Sequence, residues 1–182
     1  MSQSNYLLIL VRRVIPVFQS SLQLAFFLIL QSLLISQFAF AQAPKIVSVI
    51  GGEWHSAAIS DKGKVWSWGS NKDVGQLGNG SPDNSNIPVQ VVDTNTPGGQ
   101  LTDVKQMDAS RAAGIIQGGH VIAVKNDGTV WTWGDNAWGE LGDNTVIHRS
   151  TPIQVVDPGG PGGFLQNVIA VAAADDLRLF LS

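Results

Sequence analysis

The sequence has no cysteine. That absence removes a disulfide framework, thiolate zinc sites, a catalytic cysteine and a lipid-carrying N-terminal cysteine, and leaves stability to packing. Charge is also sparse: 14% of residues are Asp, Glu, Lys or Arg, with 11 basic against 14 acidic side chains. The basic residues are scattered, so no positive patch is available for a phosphate backbone, and nucleic acid is not an expected partner. No stretch repeats its apolar residues at helical spacing, which leaves strands and turns as the building material.

The first 41 residues lack acids altogether. They carry Arg12 and Arg13, then the apolar block from Leu22 to Ile35, and end in Ala39-Phe40-Ala41. That order matches the basic, apolar and small-residue regions of a secretory signal peptide, with cleavage expected between Ala41 and Gln42. The apolar block is shorter than the roughly 20 residues that a membrane span needs. The expectation is therefore an exported protein with no membrane attachment after cleavage. Residues 42–45 read as a short linker. Removing residues 1–41 moves the net charge from −3 to −5, because two arginines and no acid depart.

What the chain has is repetition. "HSAAISDKGKVWSWG" from His55 returns as "HVIAVKNDGTVWTWG" from His120, so Trp66 and Trp68 recur 65 residues later as Trp131 and Trp133. Downstream, "IPVQVVD" from Ile87 faces "TPIQVVD" from Thr151, and "TPGGQLTDV" faces "GPGGFLQNV". A third copy starts at Val168 and runs to Ser182. The units span residues 46–103, 104–167 and 168–182. Periods of this size point to stacked units that cannot bury their own faces alone.

Each unit reads as four short strands: "IVSVI", "HSAAIS", "KVWSW" and "PVQVV" in the first copy. Gly63 and Gly128 supply the positive φ for tight hairpins between the second and third strands. Side chains two apart share a face, so Trp66 with Trp68, and Trp131 with Trp133, form aromatic plates on one side, with Ser67 and Thr132 on the other. Gly69 and Gly134 end the tryptophan strand, and Gly75-Gln76-Leu77-Gly78 and Gly139-Glu140-Leu141-Gly142 return the chain. The fold class is all-β, a propeller of four-stranded blades.

The joint pattern of repeat histidine, Asx-x-Gly or Asn-Asp-Gly, V-W-x-W-G-x-N, G-[QE]-L-G and P-[VI]-Q-V resembles the regulator of chromosome condensation repeat family across residues 46–182. The resemblance implies a seven-bladed β-propeller in which successive repeats share blades, and a role as a protein-binding platform; about two blades of the seven are present. It also implies alternatives: guanine-nucleotide exchange on a small GTPase, or part of a larger surface or secreted enzyme or enzyme inhibitor. Two and a fraction units do not close a seven-bladed ring, so a piece of a longer protein or a truncated reading frame is expected. The sequence departs from the pattern at Asp108–Gly119, where the second copy is longer, and at Leu177, where the repeat would have histidine.

No residue set reads as a catalytic or metal centre, and no cofactor is expected. His55 and His120 share a repeat position and lack the convergent partners a metal site needs. His148 reads as a solvent-exposed loop residue. Asp61, Asp127, Asp135 and Asp143 sit in turns where aspartate bonds its local backbone. "DNAWGELGDN" lacks the spacing of a calcium loop, and "PGGPGGF" that of a phosphate loop. Ser56 and His55 are strand neighbours facing opposite ways, so they form no dyad. Trp138 is expected to pack. Trp54, which the repeat replaces with Gly119, is the candidate contact to a partner. Binding is expected in the long loops at residues 79–86, 93–100 and 143–150.

Overall fold

The computed structural model describes residues 43–95, 99–110, 118–174 and 178–181, the last stretch by backbone alone. The expected signal segment, its Ala41–Gln42 junction and Leu177 lie outside the described residues, as do residues 111–117 of the longer connection in the second copy.

Two four-stranded antiparallel sheets follow each other. Blade 1 is β1 (Ile46–Gly51), β2 (His55–Ser60), β3 (Val65–Gly69) and β4 (Ser85–Gln90); blade 2 is β5 (Val104–Ala109), β6 (His120–Lys125), β7 (Val130–Gly134) and β8 (Arg149–Gln154). β9 (Ala170–Ala173) and β10 (Arg178–Leu181) pair as the start of a third sheet. The strands lie in the sheet in chain order, as short connections dictate. Gly63 and Gly128 close the central hairpins at φ +66° and +81°.

Three strands fall where the alternating sequence puts them, and the fourth is displaced. Pairing begins at Ser85 and ends at Gln90, ahead of the expected Pro88–Val92. Pro88 is accepted because β4 is an edge strand with nothing to donate to on its outer side. Val91 turns inward instead: it is fully buried and its amide donates to Val65 O at 3.1 Å, while Val92 bridges to Gln100.

Blade stacking follows from the strand period of two. Val65 and Ser67 of β3, with Ala57 and Ile59 of β2, form the face of blade 1 toward blade 2. Trp131 and Trp133 of β7, with Val121 and Ala123 of β6, form the face of blade 2 toward blade 1. The opposite face of blade 2, Ile122, Val124 and Val130, packs on Val168 and Val171. Each blade thus turns tryptophans back and small or aliphatic residues forward. Trp66 and Trp68, on the backward face of blade 1, are only half-buried.

Hairpin turns and the inter-blade connections, including residues 91–95 and 99–103, lie at one end of the strands. The β3–β4 and β7–β8 loops, the β1–β2 link and the described ends of the β5–β6 link, Ser110 and Gly118–Gly119, lie at the other.

Candidate protein-interaction surface

The two long loops are built on one buried asparagine each. Asn71 and Asn136 follow the glycine that ends the tryptophan strand, and both are fully buried. Asn136 Nδ2 donates to Thr145 O and Asp143 Oδ1, each at 3.1 Å, and to Ile147 O at 3.0 Å. Its Oδ1 accepts from Leu141 N at 2.8 Å. Asn71 makes the corresponding bonds, from Nδ2 to Asn79 Oδ1 at 3.3 Å and Ser81 O at 2.5 Å, and to Oδ1 from Leu77 N at 2.8 Å. A carboxamide supplies two donors and an acceptor in one plane, so it can pin three turns of a loop without a charge to desolvate. The strand below is locked to the same loop, Ser67 Oγ donating to Leu77 O at 2.5 Å and Thr132 Oγ1 to Leu141 O at 2.7 Å.

Above these shared hubs the loop tips differ. Pro82 and Asp83 in the first are Val146 and Ile147 in the second, which are 67% and 59% exposed. His148 is exposed as expected, yet it is not idle. Its Nδ1 accepts from Asn136 N at 3.0 Å, the place that Asn84 Oδ1 takes for Asn71 N at 2.7 Å. Asp135 Oδ1 lies 3.1 Å from the same nitrogen, so a neutral ring accepts from the amide and a protonated one donates to the carboxylate. Arg149 holds Asp143 through Nε at 2.8 Å and Nη2 at 2.6 Å. Burial works to raise the Asp143 carboxyl, and bonds from Thr145, Arg149 and Asn136 outweigh it and keep it below its ordinary value.

The candidate contact Trp54 is 52% exposed on the β1–β2 link, at the same end as these loops. Trp138 does not pack as expected: it is 83% exposed. It occupies the place of Val74, which is buried where Gly118 of the next blade comes close. The loops at 79–86 and 143–150 share this end, whereas the described residues of the loop at 93–100, 93–95 and 99–100, belong to the opposite end, so the three expected binding loops do not form one surface.

The repeated residues meet at the joint between blades. Trp133 is fully buried, and its Nε1 donates to Gln76 O at 3.0 Å. The indole lies directly over Gly78, where a Cβ would stand 2.7 Å from Nε1. Leu77 and Leu141 fill their own loops and are fully buried. β8 runs across the Gly75 turn, and Gly80 N donates to Ser150 O at 2.9 Å. Gly69 and Gly134, at φ +114° and +102°, pass against the carbonyls of Trp54 and Gly119. The Gly139 and Gly142 turn repeats the geometry of Gly75 and Gly78.

His55 and His120 are both buried. His55 lies under Gly52 and beside Gly119, with no hydrogen-bond partner for Nε2. Desolvation, with the neighbouring His120 adding to it, lowers its pKa from 6.5 to about 4, so it is neutral and structural. Among the described residues no three metal-binding side chains converge. No helix of the described residues is long and apolar enough to cross a membrane.

Sequence reasoning passed over one joint. Lys125 Nζ reaches Asp93 Oδ2 at 3.4 Å across the blades and sits 4.2 Å above the Trp131 ring. Both charges are nearly enclosed. Asp93 recurs as Asp157, but Lys125 faces Ser60 in the first copy, so no repeat signal marked the pair. Asn71 and Asn136 did carry such a signal, standing in the same place after each tryptophan strand.

Four-stranded sheets stacked in series, each with its tryptophan face turned toward the one before, define a β-propeller repeat protein. The chain belongs to the regulator of chromosome condensation repeat family, whose RCC1 repeat model matches residues 62–111 and 127–181, with a second model over residues 46–76. The 62–111 frame begins before β3 and ends after β5, so successive family repeats do share a blade. Human E3 ubiquitin-protein ligase HERC2 is 36% identical over 119 residues, which are 65% of this chain and 2% of that protein. The ultraviolet-B receptor UVR8 of Arabidopsis thaliana is 29% identical over 117 residues, 64% of this chain and 23% of that protein. Among solved structures, human WBSCR16 superposes with a TM-score of 0.58 at 22% identity, covering 80% of this chain and 33% of that one. Prp20p of Saccharomyces cerevisiae, described with its binding to Gsp1p and histones, gives 0.55 at 18% identity over 78% and 32%. The chain thus spans about a third of the length of the structures it resembles.

Proposed function

We propose that the protein is an exported, non-enzymatic propeller that presents loops to another protein. The observation that carries this reading is the pairing of an invariant base with a variable tip. Asn71 and Asn136 make matching buried bonds, while the residues above them change from Pro82 and Asp83 to Val146 and Ile147. A rigid scaffold that varies at its loop tips is the arrangement binding proteins use, because tip residues change without disturbing the core. The repeated histidines, glycines and tryptophans are spent on stacking, which supports the non-enzymatic reading. Export rests on the order of residues 1–41, and it separates the protein from GTPases of the cytosol and nucleus.

Cross-linking mass spectrometry on the protein in its own cells tests the platform. The expected result is cross-links to a polypeptide partner from the loop at residues 143–150, lost in a Val146→Ser/Ile147→Ser variant whose melting temperature is unchanged. Cross-links that persist in that variant and map to the strands would overturn the reading. For export, the expected mature N-terminus is Gln42, and an intact residue 1–41 segment on cytosolic protein would remove that part.

A further inference from the structure

Asn79 is followed by Gly80, and no other asparagine in the sequence precedes a glycine. That pair carries a chemistry of its own. The backbone nitrogen after an asparagine is a nucleophile within reach of the side-chain amide carbon, one reason the residue is thermally labile, and a glycine there has no Cβ to hinder the approach. Asn79 holds its carboxamide by one end. Its Oδ1 accepts from Asn71 Nδ2 at 3.3 Å and from Ser81 N at 3.1 Å, while its Nδ2, the leaving group, donates to no residue among those described.

What restrains the reaction is the neighbouring blade. Gly80 N donates to Ser150 O of β8 at 2.9 Å, so the nucleophile is tied across the joint that Trp133 closes beside Gly78. Blade 2 shows that the acid product has a place. Asp143 stands there in the position of Asn79, accepting from Asn136 Nδ2 at 3.1 Å and Thr145 N at 3.0 Å as Asn79 does from Asn71 and Ser81. Its cation has no counterpart in blade 1. Arg149, which holds Asp143, is replaced by Ser85, each facing the glycine that ends its tryptophan strand, and Ser81 already bonds Asp83 at 3.3 Å. A carboxylate at position 79 would therefore join an acid and meet no base.

We propose that Asn79 is a self-modification site, a deamidating asparagine whose rate is set by the opening of the joint between the two blades. Gly80 N attacks Cγ of Asn79; the new N–Cγ bond forms as Cγ–Nδ2 breaks, and the amide proton leaves with ammonia. Water then opens the cyclic imide. Cleavage at N–Cγ gives aspartate, which keeps the bonds to Asn71 and Ser81, whereas cleavage between the nitrogen and the main-chain carbonyl gives isoaspartate and lengthens the backbone by a methylene. Asn79 opens one of the platform loops, but the proposal rests on the joint and stands whether or not a partner binds there.

The test follows the full chain and a synthetic peptide of residues 77–83 through incubation at mildly alkaline pH, with tandem mass spectrometry of the tryptic segment 73–105. Asn79 should turn acidic ahead of Asn84, Asn86 and Asn95, giving both aspartate and isoaspartate. In the folded chain it should convert at least about tenfold more slowly than in the peptide, the factor that about 1.4 kcal/mol of joint stability gives, and Trp133→Ala should return most of that factor. Urea at concentrations that leave the circular-dichroism spectrum native should speed Asn79 in the unaltered sequence in the same way, so the reading does not depend on the variant folding. Conversion at Asn79 no earlier than at the other three asparagines overturns the proposal. Equal rates in chain and peptide do the same, as does a rate unmoved by urea or in a folded Trp133→Ala chain.

Discussion

Trp133 is the largest side chain fully enclosed at the joint, and its loss leaves a space that Gly78 and Val91 cannot fill. Trp133→Ala should therefore cost about 3–5 kcal/mol, while Trp66→Ala, at the same face of a blade where the ring is half-buried, costs less. Chemical denaturation of the two variants gives the ranking, and equal costs would contradict the stacking described above. His55 makes a second residue-scale prediction. Its pKa in the folded protein is about 4 against 6.5 in the unfolded chain, so between those values the unfolded chain takes up a proton that the folded one refuses. Stability is fully present above pH 6.5 and falls as the pH drops toward 4, by about 3 kcal/mol at 1.36 kcal/mol for each unit. Melting temperatures across this window should decline less steeply in His55→Gln.

At the scale of elements, the loops depend on their hubs more than on their tips. Asn136→Ala would leave Leu141 N, Thr145 O and Ile147 O without their bonds inside the loop, a cost of about 2–4 kcal/mol. Limited proteolysis should then cut within residues 143–150 at a rate that Val146→Ser does not reach. Much of this element structure was legible. The two-residue alternation around Trp66 and Trp131 located the tryptophan strands and the sides they face. β4 was misplaced because "PVQVV" satisfies the pattern of a strand as well as the true Ser85–Gln90 does. What decided it was tertiary, the burial of Val91 beneath the joint. Trp138 was misread for a related reason. The repeat sets it in line with Val74, but packing there depends on what the neighbouring blade brings, and alignment alone carries no neighbour. The Lys125–Asp93 pair was invisible because its partners come from different units at unlike positions.

Over the whole molecule, blades communicate only with adjacent blades, so stability resides in joints. The Lys125–Asp93 pair bridges one of them in a nearly closed setting. Lys125→Ala should cost about 3–5 kcal/mol by stranding the Asp93 carboxylate, whereas the double change Asp93→Asn/Lys125→Met should cost less. A double variant no better than Lys125→Ala would show that the charge pair is not what holds the joint. The same one-sided stacking gives the chain a direction in time. Gln76 and its loop leave the ribosome 57 residues ahead of Trp133, so the receptor of each joint is made before the indole that enters it. Every blade can therefore close onto a surface that already exists, and assembly can keep pace with synthesis from the N-terminal side, with only the newest forward face left waiting.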